Sequence, residues 1–178
     1  MSTVNGAVLS DPAPESAQWI VDELSKPGAY QDSCPVPTRA DMIVLDGDDW
    51  GHARAAVVWL GDGLRVCVAG ISHGASGGGV TVSSGRLDGL SRGWSAWMGE
   101  SFFTVFPGDA GTVVIKDDGD HLYGPPHQWV ADFGGGRKAT FVQYACPGPL
   151  SPPGSPRSPR ARLCPSAGGD CRPAGVGA

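Results

Sequence analysis

Glycine, proline and aspartate interrupt this 178-residue chain so often that long regular elements have little room to form. Between residues 40 and 145 the breakers fall at Asp46-Gly47-Asp48-Asp49, Gly61-Asp62-Gly63, the Gly/Ser-rich stretch 73–79, Pro107-Gly108, Asp117-Asp118-Gly119-Asp120, Gly124-Pro125-Pro126 and Gly134-Gly135-Gly136. The intervening runs are short and rich in valine and aromatic residues, the pattern of strands joined by tight turns. Segments 42–45, 52–60 and 64–71 follow one another through such turns and read as an antiparallel meander. Further strands are expected at 80–82, 102–106, 112–116, 121–123, 128–133 and 138–145, the last two as a hairpin around the glycine triplet. About eight or nine strands of this kind imply a mostly β fold, an antiparallel sandwich or partly open barrel.

Three segments break the pattern. Residues 1–11 read as a flexible arm. Asp11 and Pro12 resemble a helix start, Trp19, Ile20 and Leu24 give an apolar face, and Lys26-Pro27-Gly28 a stop, so one helix is expected over 12–26. It opens a single β-rich domain at 12–146. Beyond it, eight of the 32 residues 147–178 are proline and six are glycine, with Leu150, Leu163 and Val176 as the only branched aliphatics. Such a segment buries too little apolar surface to offset its ordering entropy, so a disordered Pro/Gly/Arg-rich C-terminal tail is expected.

The formal charge is −5. An acidic chain has no electrostatic reason to seek phosphate backbones, which excludes nucleic acid as the expected partner. No run of 18 apolar residues suggests a transmembrane segment, and the N-terminus lacks the basic and apolar regions of a signal peptide, which by itself implies the cytoplasm. Five cysteines, Cys34, Cys67, Cys146, Cys164 and Cys171, leave at least one outside any intrachain pairing. Their spacings fit neither a zinc ribbon nor a redox pair. A disulfide among Cys34, Cys67 and Cys146 requires an oxidising compartment.

Few residues invite chemistry. Gly70-Ile71-Ser72-His73-Gly74 has the G-x-S-x-G spacing of a nucleophile elbow, in which small residues permit a strained turn that exposes the serine. Ala75-Ser76-Gly77-Gly78-Gly79 is a poor helix start, however, so a Gly-rich turn is the better reading and Ser72 is a lesser candidate. The two Asp-rich loops lack EF-hand spacing and read as turns. No two of the four histidines have helical metal spacing, so no metal and no cofactor is expected. Trp59 sits in an apolar run and reads as core. Trp50 and Trp129, beside turns, are candidates for a ligand groove together with His52, His121 and His127.

The run Ala55-Ala56-Val57-Val58-Trp59, followed by Gly63-Leu64-Arg65-Val66-Cys67-Val68, and the pattern F-x-x-F-P-x-x-A-x-x-V over Phe103–Val113 give residues 40–145 a likeness. This part of the chain resembles uncharacterised β-rich extracytoplasmic domains of bacterial envelope proteins. The resemblance implies a sensory or adhesive domain outside the membrane, often disulfide-linked. The functional expectation is therefore a non-enzymatic binding or structural module, envelope-associated if the resemblance holds, for an unknown protein or small ligand. Two other readings stay open: a small serine hydrolase using Ser72, and a regulatory partner protein acting through its basic tail.

Overall fold

A computed structural model describes residues 7–27, 34–45, 54–74, 77–87, 94–98, 101–116, 127–145, 162–168 and 171–173. Within them the chain is mostly strand. In chain order the elements are β1 (Ala7–Leu9), α1 (Gln18–Leu24), β2 (Ile43–Leu45), β3 (Arg54–Leu60), β4 (Arg65–Gly74), β5 (Gly77–Arg86), β6 (Trp94–Met98), β7 (Ser101–Pro107), β8 (Val113–Lys116), β9 (His127–Asp132), β10 (Lys138–Ala145), β11 (Arg162–Pro165) and β12 (Arg172–Pro173). They form a four-stranded sheet β2-β3-β4-β5, a five-stranded sheet β1-β9-β10-β7-β6 and a three-stranded sheet β12-β11-β8. Every pairing is antiparallel except β1 with β9. The described strands stack as a sandwich and close no barrel.

The meander is the middle layer, and its composition explains why. In β3 the register sets Val58 beside Ile43 and Val68, and Val57 beside Val44 and Ala69. Successive residues of a strand point to opposite faces. Here both faces are covered. Ile43, Leu45, Ala56, Val58, Val66 and Val68 meet Val105, Trp129, Ala131, Ala139 and Phe141 of the five-stranded sheet. Ala55, Val57, Trp59, Cys67, Ala69 and Ile71 meet Ala17, Ile20 and Leu24 from the helical segment. A strand buried on both sides needs an unbroken apolar run rather than alternation, and Ala55–Trp59 is one.

The helix is shorter than the sequence signals imply. A 3-10 turn at Glu15–Ala17 precedes α1, and neither start carries a side-chain cap. Pro14 disfavours helical geometry at the residue before it. Ala13 instead donates its N–H to the Met42 and Arg39 carbonyls, which ties the approach to the start of β2. The 1–11 arm likewise differs from expectation at Ala7–Leu9, which is a strand in parallel register with Trp129–Ala131. The 80–82 strand is longer than expected, because β5 pairs with β4 from Arg86 as far as Gly77. Residues 94–98, which no sequence signal assigned, form β6 against β7. The expected strand at 121–123 lies outside the described residues.

The outer face of the five-stranded sheet is also buried. Its row Gln128, Val130, Thr140, Val142, Thr104 and Phe106 is almost inaccessible to solvent. Buried glutamine and threonine here are hydrogen-bonded, as burial of polar groups requires. Gln128 accepts from the Val113 N–H at 2.9 Å and donates to the Gly111 carbonyl. Thr140 accepts from the Ala110 N–H at 2.9 Å and donates to the Gly108 carbonyl at 2.7 Å. These bonds fasten residues 108–113, and with them β8, across the sheet.

Two pieces of the 147–178 segment depart from the expected disorder. Arg162–Pro165 pairs with β8, and Arg172–Pro173 pairs with β11. Leu163 is fully buried, and a Cys164–Cys171 disulfide closes the hairpin. Composition alone misses this, because one leucine and one crosslink are enough to hold four residues on an existing edge.

Gly111 marks the closest approach of that hairpin. Its φ is +65°, and a Cβ there lies 2.5 Å from Ser166 Oγ and 3.1 Å from the Ala167 nitrogen. Gly136 shares a positive φ but has open space around it. Gly111→Ala is therefore expected to cost about 2–3 kcal/mol against about 1 for Gly136→Ala. Urea unfolding of the two variants checks this; equal losses contradict the packing described.

Candidate functional site

A cleft of about 640 Å3 opens at one end of the sandwich. Four segments build it: Ser10 and Pro12 after β1, the loop Pro35-Val36-Pro37 with Ala40 and Asp41, the end of β3 at Trp59 and Leu60, and the β9–β10 hairpin from Asp132 to Arg137. Ile43 at the start of β2 completes the wall.

The loop that forms one wall is held at two points. Cys34 is bridged to Cys67, the third residue of β4, and both are fully buried. Trp59 stands directly opposite Cys67 across the β3–β4 pair. Its indole N–H donates to the Pro35 carbonyl at 3.0 Å, satisfying the one polar atom of an otherwise core side chain. Prolines at 35 and 37 further restrict the loop by fixing φ. The opposite wall is tied to itself. Gly134 N–H donates to Asp132 Oδ1 at 2.9 Å, and Arg137 Nε and Nη2 donate to the Gly134 and Phe133 carbonyls at 3.0 and 3.3 Å. Both walls are thus held by contacts within the chain.

The lining is mixed: Trp59, Leu60, Ile43 and the prolines stand beside Asp41, Asp132 and Arg137. Asp132 faces Lys138 Nζ at 3.6 Å, so its charge is shared within the hairpin. Asp41 accepts from Thr38 Oγ1 at 2.5 Å through Oδ2, leaving Oδ1 open. Arg137 is exposed and uses two of its five donors internally.

Among the described residues three large apolar side chains are strongly exposed, Val8 at 54%, Val36 at 43% and Leu64 at 44%. Val36 lines the cleft, Val8 stands two residues before Ser10, and Leu64 follows Leu60 through the β3–β4 turn. Leu64 is also the one described non-glycine residue with positive φ, +59°. A branched side chain in the left-handed region costs about 1–2 kcal/mol. The turn Gly61–Arg65, closed by Gly61 N–H to the Arg65 carbonyl at 2.8 Å, thus holds an exposed leucine in a strained conformation.

The sequence-selected residues fare differently. Trp50, His52 and His121 lie outside the described residues, as do both Asp-rich loops. Trp129 is buried in the core between the sheets, opposite Phe141, which takes its ring out of any surface groove. His127 is exposed at the start of β9 and stacks on Trp129, centroids 6.1 Å apart and planes at 16°. Ser72 lies inside β4, paired with Arg54 on one side and Gly79 on the other. The strand continues past it to Gly74 and β5 returns from Gly77, so the strand–turn–helix geometry of an elbow is not formed there. Cys146 is outside the described residues; the pairing left open among Cys34, Cys67 and Cys146 is Cys34 with Cys67. Among the described residues no set of three or more His, Cys, Asp and Glu side chains is placed to hold a metal ion. No described helix is long and apolar enough to cross a membrane.

Val36, Asp41, Leu64 and Arg137 were not singled out by motif. The readable signal was local: a valine between two prolines beside a cysteine, and a charged pair following a glycine triplet. No family model, curated protein or solved structure matches the chain.

The strain at Leu64 is directly measurable. Leu64→Gly is expected to leave stability unchanged or to raise it by up to about 1 kcal/mol, strain relief outweighing the greater freedom of glycine when unfolded. A loss of more than about 1 kcal/mol in denaturant melts contradicts a strained, solvent-facing leucine.

Proposed function

We propose that this chain is a non-enzymatic binding module whose ligand seat is the end cleft. The observation that carries the reading is the cleft itself, mixed apolar and polar in lining, with both walls held by contacts within the chain and the exposed Val36 among its lining residues. Clefts of this size with a few placed polar groups are the usual form of a small-ligand site. The open donors of Arg137 favour a carboxylate, which guanidinium binds in bidentate fashion. The fitting ligand class is an apolar body bearing a carboxylate, with a donor for Asp41 at its other end. The two disulfides support maturation in an oxidising compartment, in keeping with an envelope-associated module.

Ligand-observed NMR with aryl-alkanoic acids tests the seat. Binding is expected to weaken about tenfold in Arg137→Ala, as loss of one charge-assisted contact implies. Val36→Asp is expected to abolish it, and His127→Ala to leave it unchanged. Binding that survives both cleft substitutions, or that depends on His127, places the site elsewhere.

A further inference from the structure

The two disulfides differ in every property that governs access by a thiol. Cys34 and Cys67 are fully buried between the helix and the middle sheet. Cys171 is exposed and Cys164 half-buried, and they are seven residues apart against 33 for the other pair. Thiol–disulfide exchange proceeds by attack on a sulfur, so the accessible bridge reacts first. A short closed loop constrains the unfolded chain less, so opening this bridge costs the fold as a whole less than opening the other would.

What the accessible bridge holds is a cover. The hairpin Arg162–Pro173 sits on the edge of β8 through strand pairing and through Ser166, whose N–H donates to the Thr112 carbonyl and whose Oγ accepts from the Thr112 N–H, both at 2.8 Å. Its Leu163 is fully buried, and Arg172 lies over the Phe106 ring at 5.8 Å. Apart from Leu163 the described part of the hairpin buries no large apolar side chain, so the crosslink supplies much of what keeps it closed.

We infer that Cys164–Cys171 is a redox-sensitive latch, and that its reduction by a dithiol releases the C-terminal hairpin from β8 while the sandwich stays folded. A donor thiolate attacks Cys171 Sγ, forming a mixed disulfide and releasing Cys164 as a thiolate, which takes a proton. The donor's second thiolate then attacks its own sulfur in the mixed disulfide. It closes a cyclic disulfide and releases Cys171, which is protonated in turn. The protein gains two electrons and two protons, and the dithiol is oxidised. With the hairpin gone, the Phe106 edge of the outer face is open to solvent.

The test is graded reduction of the full chain with dithiothreitol after free thiols, Cys146 included, have been blocked. Newly exposed thiols are mapped by alkylation and mass spectrometry, and backbone protection is read by hydrogen exchange. Cys164 and Cys171 are expected to be alkylated at least about tenfold faster than Cys34 and Cys67. At that stage 113–116 and 162–165 lose protection while 54–71 and 138–143 keep it. Reduction of both bridges together overturns the inference, as does selective reduction that leaves 162–165 protected. The double variant Cys164→Ser/Cys171→Ser gives a second reading without reductant: the same local loss of protection supports the latch, and a fully protected hairpin refutes it.

Discussion

Strands β2–β4 of the four-stranded sheet are covered on both faces, and the other layers take their positions from them. Their inner face meets the five-stranded sheet, their outer face the helical segment. Hydrophobic burial is roughly proportional to apolar area removed from water, so a layer buried twice contributes twice per residue. This is how a chain with 28 glycines and 16 prolines assembles a real core: the apolar residues it has are concentrated in β3 and β4. The Cys34–Cys67 bridge crosses that core on the helix side. It ties a loop 33 residues upstream to the sheet near the β3–β4 turn, where Trp59 bonds the same loop from the neighbouring strand.

The cleft is a consequence of this arrangement. A loop fixed by a buried crosslink, an indole bond and two prolines does not collapse onto the apolar residues at the end of β3. The β9–β10 hairpin, held by its own side chains, faces it. For the ligand seat proposed above, the ordering costs that a flexible site meets at binding would be met at folding, which is the physical meaning of preorganisation. The leucine at position 64 fits the same picture, because backbone strain persists only where the surroundings over-determine it.

Much of the fold was legible from turn residues. The breakers at Gly61-Asp62-Gly63, Pro107-Gly108 and Gly134–Gly136 placed three strand ends to within one residue, and Ala55–Trp59 announced a buried strand. What stayed hidden was non-local. Ala7–Leu9 becomes a strand only because the edge of β9 is available, and Arg162–Pro165 only because β8 is. Glycines 77–79 extend a strand because β4 supplies partners, against their own preference. The site was harder still. Aromatic residues near turns pointed to Trp129, but its strand buries it. The cleft is assembled from four segments separated by up to about 130 residues, and no motif spans them. Helix onset was misplaced by weighing Asp11 and Pro12 above the restriction that Pro14 imposes on Ala13.

Crosslink connectivity decides whether this account of the core is right. Peptide mapping of the unreduced protein by mass spectrometry, with free thiols blocked at lysis, reads it directly. Cys34 joined to Cys67, with Cys164 joined to Cys171 and Cys146 in neither bridge, is the result the account predicts. Cys146 joined to Cys34 or Cys67, or five free thiols, contradicts a loop pinned to the middle sheet and with it the preformed cleft.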